Sequence, residues 1–202
     1  MNRIAANVVV LSLAFSSLAL AQTPPATQRI RGDVTSIDGL SLQVKERSGA
    51  MLTIKLAENY VVTSVAKVGV ESIAANTFVG VASMPQSDGT QSALEVLVFP
   101  EAMRGSGEGH YAWDLQPGSM MTNATVAEVV AVGPARRLTL RYKDGEKVVV
   151  VPDAVPVVTF EPGDRAMLKA GAHVLLTATK QPDGTLTAGR VAVGKDGLVP
   201  PM

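Results

Sequence analysis

The chain has no cysteine, and aromatic residues make up only 4% of its 202 residues. Without cysteine there can be no disulfide, so packing alone must stabilise the fold. Eighteen basic and eighteen acidic side chains give a formal net charge of zero. A neutral chain with few aromatics lacks the basic groove and the stacking platforms that nucleic-acid binding requires. We therefore expect no nucleic acid among its partners.

The first 21 residues have the order of a secretory signal peptide. Arg3 supplies a basic start, Ile4–Leu20 is an apolar run, and Ala-Leu-Ala at 19–21 is a small-x-small cleavage site. An uncleaved anchor is the alternative, but the apolar run is short for a spanning helix. We expect export to the periplasm or beyond the cell, a mature chain from Gln22, and no transmembrane segment after cleavage.

The two halves of the chain resemble each other. Gln86–Val98 aligns with Gln181–Val193 at an offset of 95 (181 − 86), with the turn sequence Asp-Gly-Thr in both. Val61–Thr63 aligns with Val157–Thr159 at an offset of 96 (157 − 61). Two copies at this spacing favour tandem domains over a solenoid. The predicted organisation is a signal peptide at 1–21, a disordered stretch at 22–29, repeat 1 at 30–99, a connector at 100–121, repeat 2 at 122–195 and a tail at 196–202.

Each repeat has the periodicity of β-strands. Leu40, Leu42 and Val44 alternate with polar residues, which places them on one face of a half-buried strand. Four Asp-Gly pairs separate such runs and predict hairpin turns. The stretches 65–75 and 164–170 break the alternation and predict one short helix or 3₁₀ turn per repeat. The predicted class is all-β, with two tandem OB-like barrels and an ordered Gly-rich connector, and a small sandwich is the alternative.

The repeat unit resembles the β-rich domains of unknown function found in exported bacterial proteins. The resemblance is carried by the central hairpin and by the closing Asp-Gly-Thr-x-x-Ala-x-x-Val at 88–96 and 183–191. It covers both repeats and implies a fold and a periplasmic location. It implies no reaction, because its motifs are structural.

The connector is unlike either repeat. It contains the only tryptophan, Trp113, which with Tyr111 is too apolar to be left in solvent in a simple linker. One interpretation is that Trp113 fills the groove between the two units, and the other is that the connector forms a site. The candidates for a ligand site or an interface between the units are Arg104, Glu108, Tyr111, Trp113 and Asp114.

A metal site is the only specific chemical hypothesis in the connector. Met103, His110, Met120 and Met121 supply thioether and imidazole groups, which suit copper and especially Cu(I). Methionine also fills irregular gaps in cores, so the clustering has a purely structural alternative. Apart from possible copper, no cofactor is expected.

Catalysis ranks last among the functional classes. His110 and Asp114 lack a serine in a Gly-x-Ser-x-Gly elbow, so no nucleophile is identifiable. We expect a protein that is not an enzyme. The leading hypothesis is a non-catalytic periplasmic binding or interaction module, whose partner is an unknown protein or small ligand, and the alternative is a periplasmic copper-binding protein.

Overall fold

The structure, a computed structural model, describes residues 25–202, so the predicted signal peptide lies outside the described part. The described residues are all-β, and their strands join in one 12-stranded sheet. The strands are β1 (Thr27–Asp38), β2 (Ser41–Glu46), β3 (Met51–Lys67), β4 (Phe78–Pro85), β5 (Gln91–Val98), β6 (Gly109–Ala112), β7 (Met120–Val132), β8 (Ala135–Tyr142), β9 (Gly145–Pro152), β10 (Val157–Pro162), β11 (His173–Lys180) and β12 (Leu186–Gly194).

The first barrel is a closed ring of five strands, β1, β2, β3, β12 and β11. β1, β2 and β3 form an antiparallel meander, and β1 also pairs with β11. The ring closes where β12 runs parallel to β3. Its interior is filled by side chains from both ends of the chain, including Ile30, Leu42, Ile54 and Val191, which are fully buried.

The second barrel is formed by β4, β5, β9, β8 and β7. Antiparallel pairing links β5, β4, β7, β8 and β9 in that order. A short parallel pairing, Gln91 with Val149 and Ser92 with Val150, joins β5 back to β9. Val79, Val96, Leu138 and Leu140 are fully buried in its core.

The tandem arrangement predicted from the sequence is not what the strand pairing shows. The first barrel takes β11 and β12 from the second half of the chain, and the second barrel takes β4 and β5 from the first half. The two halves therefore exchange their last hairpins within one chain. The sequence could not reveal this exchange, because the same apolar alternation satisfies either barrel.

The junction between the barrels is a pair of antiparallel strands. β10 pairs with the end of β3, with Phe160 opposite Val65, and also runs parallel to β5. A third buried cluster lies here and contains Val65, Leu97, Val158 and Met202. The barrels thus share a hydrophobic interface.

The four Asp-Gly pairs predicted to form turns lie at hairpins, between β1 and β2, β4 and β5, β8 and β9, and β11 and β12, and a fifth pair, at 196–197, lies in a 3₁₀ turn. Gly39 and Gly89 have φ of 55° and 82°, a region that favours glycine. Of the two predicted alternatives, a short helix or a 3₁₀ turn, the structure has 3₁₀ turns, at Val70–Ser72 and Arg165–Met167, with further turns at Glu101–Met103 and Lys195–Gly197. Within residues 25–202, no helix has the length and hydrophobicity that crossing a membrane requires.

Two predicted boundaries also differ from the observed elements. β1 begins at Thr27, which pairs with Thr179, so three residues of the predicted disordered stretch belong to a strand. In the predicted tail, Met202 is only 4% exposed and packs at the junction between the barrels.

Candidate functional site

The connector adds an edge strand to the second barrel and then turns back over the junction. β6 pairs with the start of β7, so that Tyr111 lies opposite Met121. The following turn is fastened at Ser119, whose N–H and carbonyl take part in main-chain bonds and whose hydroxyl contacts the carbonyl oxygens of Trp113 and Gln116 at 3.0 and 2.8 Å. This turn places Trp113 between the barrels, where it lines a cavity.

A cavity of about 770 Å³ lies beneath Trp113, between the two barrels. We call it the interbarrel cavity. Its apolar walls come from both barrels and from the connector, and include Leu97, Phe99, Met121, Phe160, Leu175 and Met202. Its polar side chains are Arg29, Thr63, Glu95, Asn123, Thr177 and Arg190. This size and this mixture of many apolar groups with few polar ones are typical of small-molecule sites.

The wall on the second barrel is set by strand register. Ala82 lies between Glu95 on β5 and Met121 on β7, and these three residues face away from the barrel core. Gly80, which precedes Ala82 by two residues on β4, lies between Leu97 and Asn123. A Cβ at Gly80 would lie 2.6 Å from Asn123 Oδ1, so glycine is what admits the amide here. The small residues of β4 therefore leave a depression flanked by larger side chains.

The wall on the first barrel is basic. Arg29 and Arg31 on β1 lie opposite Thr177 and Leu175 on β11. Asp114 of the connector contacts both guanidinium groups, at 2.6 Å from Arg29 Nη1 and 2.7 Å from Arg31 Nη2. Burial raises the pKa of Asp114, but the hydrogen bonds from the two arginines outweigh it and hold that pKa below its usual value.

Each of these arginines has a second partner. Arg31 is buried, and its Nε donates to the main-chain oxygen of Met202. The guanidinium of Arg29 lies 3.7 Å from the centre of the Trp113 ring, an attractive cation–π arrangement. The connector is thus fixed to the first barrel by charge and to the second by strand pairing.

Glu95 is the least expected group in the cavity wall. Its side chain is fully buried, and neither carboxyl oxygen has a hydrogen-bond partner among residues 25–202. Burial raises its pKa to about 8, against the lowering effects of the Ala82 backbone amide and the charge of Arg31. The Ala82 amide lies near the carboxyl but without hydrogen-bond geometry. A buried carboxyl with no partner is costly, and such groups concentrate at functional sites.

Two further buried polar atoms beside the cavity lack partners among the described residues. They are Asn123 Oδ1 and Trp113 Nε1. The orientation of the Asn123 amide is fixed, because its Nδ2 donates to the carbonyl oxygen of Ser106 at 3.0 Å and to the hydroxyl of Tyr111 at 3.2 Å. The cavity therefore offers hydrogen-bonding capacity that the described protein groups leave unused.

The four predicted copper ligands fall on two different faces. Met103 and Met121 line the interbarrel cavity. His110 and Met120 do not, because successive residues of a strand point to opposite faces. His110 contacts Thr122 Oγ1 at 2.9 Å and stacks on Tyr142, and burial lowers its pKa. The described residues contain no cluster of three or more His, Cys, Asp or Glu suited to a metal ion.

The predicted ligand or interface residues also divide. Tyr111 and Trp113 line the cavity, and Asp114 binds its arginines. Arg104 is exposed and pairs with Glu101, and Glu108 accepts a hydrogen bond from the Lys143 main chain. These last two residues fasten the connector at a distance from the cavity.

Sequence reasoning missed Glu95, Arg31, Asn123 and Arg190, all of which lie on strands. One signal was available for Glu95, which interrupts the apolar strand sequence Ala-Leu-Glu-Val-Leu-Val at 93–98. Comparison with protein-family models, with curated proteins and with solved structures finds no match to this chain.

Proposed function

We propose that this protein is a non-catalytic binding module that holds a small ligand in the interbarrel cavity. The observation that carries the proposal is the cavity itself, about 770 Å³ in volume, with the unpartnered carboxyl of Glu95 in its wall. Its described lining contains no histidine, cysteine or serine, and Glu95 is the one carboxylate among the lining residues. These groups suit recognition better than nucleophilic catalysis.

The proposal extends to the origin and location of the site. We propose that the two halves are copies of one unit that exchange hairpins, and that the cavity lies on the axis relating them. Strand registers support this, because the pair Leu175–Ala192 follows the pair Gly80–Leu97 by 95 residues (175 − 80 and 192 − 97). The signal-peptide sequence at 1–21 supports export, with the periplasm as the place of binding.

A fluorescence titration with the neutral apolar probe N-phenyl-1-naphthylamine tests the binding function. We expect saturable binding of one probe per chain. Ala192 lines the cavity, and Ala192→Phe should fill part of it and weaken binding at least tenfold. The matched control is Ala131→Phe on the exposed surface of β7. Equal binding by both variants, with both folded by circular dichroism, would place the probe elsewhere and refute the proposal.

Cu(I) binding is a second candidate, which a specific observation favours. Met103 and Met121 line the cavity together with Met202, so three thioethers face one space. Thioethers are soft ligands that select Cu(I). If this candidate holds, Met121→Leu should weaken binding of Cu(I), whereas Met120→Leu on the opposite face of β7 should not. Absence of stoichiometric Cu(I) uptake by the unaltered protein would rule it out.

A further inference from the structure

The two walls of the interbarrel cavity suit ligand groups of opposite charge. On the second barrel, Glu95 and Asn123 present hydrogen-bond acceptors without a partner among the described residues. They flank the depression left by Gly80 and Ala82. A ligand ammonium group, with three N–H donors, is the group that satisfies such acceptors most fully.

The opposite wall is cationic. Arg29 and Arg31 share the carboxylate of Asp114, and Arg31 also donates to the main-chain oxygen of Met202, so that of these two only Arg29 lines the cavity. Arg190 also lines the cavity, is exposed, and forms no ion pair with residues 25–202. Arg190 follows Glu95 by 95 residues (190 − 95), so the two occupy corresponding places in the exchanged hairpins.

Both places are irregular. On β5 the antiparallel pairing with β4 shifts register between Ala93 and Glu95, and on β12 the corresponding antiparallel pairing with β11 shifts register between Thr187 and Ala192, a span that contains Arg190. Irregularities of this kind re-aim side chains and are frequent beside functional sites. Corresponding bulges therefore place a carboxyl and a guanidinium, from opposite barrels, on one cavity.

A ligand with a single charge matches only one wall. A simple cation would satisfy Glu95 but leave Arg190 and Arg29, the two arginines that line the cavity, without an anionic group of the ligand. A simple anion would satisfy the arginines and leave the Glu95 carboxyl buried without a partner. A ligand that carries both charges removes both deficits.

We infer that the ligand of the interbarrel cavity is a zwitterion with a large apolar body, whose ammonium group binds Glu95 and Asn123 and whose anionic group binds Arg190 and Arg29. The inference rests on the proposed binding function and names the chemical class of its ligand. A hydrophobic amino acid or short peptide with free termini belongs to this class.

Ligand binding should release a proton from Glu95. The charged group that acts on its carboxyl is Arg31 on β1, the residues beside it on β4 and β10 are uncharged, and Arg29 and Arg190 line the same cavity. With a pKa of about 8, the carboxyl is mostly protonated at neutral pH and must ionise to pair with an ammonium group. Binding at neutral pH should therefore release close to one proton per ligand.

The test uses isothermal titration calorimetry with four forms of the dipeptide phenylalanyl-leucine. They are the free zwitterion, the N-acetylated anion, the C-amidated cation and the doubly blocked neutral peptide, which share one apolar body. The zwitterion should bind at least tenfold more tightly than each of the others. Its binding enthalpy should depend on the buffer's ionisation enthalpy, which reports proton release.

Two variants locate the charges. Glu95→Gln should lower the affinity for the zwitterion to that for the N-acetylated anion and abolish proton release. Arg190→Gln should lower the affinity for the zwitterion toward that for the C-amidated cation. Arg141→Gln, at an exposed arginine of β8, is the matched control and should change nothing.

The two proposals fail differently. If all four peptides bind with similar affinity, or if Glu95→Gln leaves zwitterion binding and proton release unchanged, the charge assignment is overturned and the binding function stands. If neither the peptides nor the neutral naphthylamine probe bind in the cavity, the binding function itself is refuted.

Discussion

Replacing Glu95 with glutamine should change how the stability of the protein depends on pH. Glu95 has a pKa of about 8 in the folded protein, against 4.5 for an ordinary glutamate. The folded state therefore binds more protons than the unfolded state between these values. The stability that the protonated carboxyl provides is fully present below pH 4.5 and is lost as the pH rises through about 8. Glutamine has the same shape and does not titrate.

The magnitude follows from the difference between the two pKa values. One unit corresponds to about 1.4 kcal/mol, so from about pH 5 to about pH 9 the unaltered protein should lose roughly 4 kcal/mol relative to Glu95→Gln. The difference between the two proteins matters, because it cancels the titration of other groups such as His110. A buried amide without partners adds a constant offset and leaves the pH dependence of this difference intact.

Urea denaturation at a series of pH values measures the effect, with the free energy of unfolding taken at each pH for both proteins. The Glu95→Gln protein should gain relative stability steadily from about pH 5 to about pH 9. Parallel pH profiles for the two proteins would refute the reasoning. They would mean that the pKa of Glu95 is not raised in the folded state, which contradicts a buried carboxyl without a hydrogen-bond partner.

Other predictions concern the connector and the exchanged hairpins. Asp114→Asn should destabilise the protein by about 1–3 kcal/mol in urea denaturation, because it weakens the pairing of buried Arg31. Glu146→Gln, which removes the exposed ion pair with Arg141, should cost less than about 1 kcal/mol. Leu42→Ala in the first barrel and Leu138→Ala in the second should each cost about 2–5 kcal/mol. Because each barrel needs strands from both halves, the protein should unfold in a single calorimetric transition, and each leucine variant should lower the midpoint temperature of that transition. Two separate transitions would contradict the exchange of hairpins.

Local pattern predicted the strand content and the turns well. The four Asp-Gly pairs marked hairpins because a turn of that kind depends on residues adjacent in the chain. Alternation at Leu42 and Val44 identified core positions for the same reason. In the stretches 65–75 and 164–170 the 3₁₀ turn was one of two predicted alternatives and is the one found, whereas Val65–Lys67 at the start of the first stretch belong to β3.

Long-range pairing was beyond the sequence. The sequences of β11 and β12 do not indicate that these strands complete a barrel with β1, because their apolar faces would fit either barrel. The repeat alignment was also imprecise. It matched Val62 with Val158 at an offset of 96, whereas strand pairing relates Val62, opposite Val191, to Val157, opposite Val96, at an offset of 95 (157 − 62 and 191 − 96).

The candidate site shows the same division. Trp113 was identifiable because a lone large aromatic in a connector needs a place to pack. The proposed copper set failed to gather because Met120 and Met121 are neighbours on one strand and must face opposite ways. Glu95 and Arg190 line one cavity only because the two hairpins are exchanged, which no local pattern encodes.

The fluorescence of Trp113 gives the most direct test of the account, since this single tryptophan lines the interbarrel cavity. N-phenyl-1-naphthylamine titrated into the protein should quench Trp113 emission, and the quenching should saturate at one probe per chain. The Ala192→Phe substitution should lower the apparent affinity for the probe at least tenfold. Quenching that does not saturate, or that is the same in both proteins, would contradict the claim that the cavity binds a ligand.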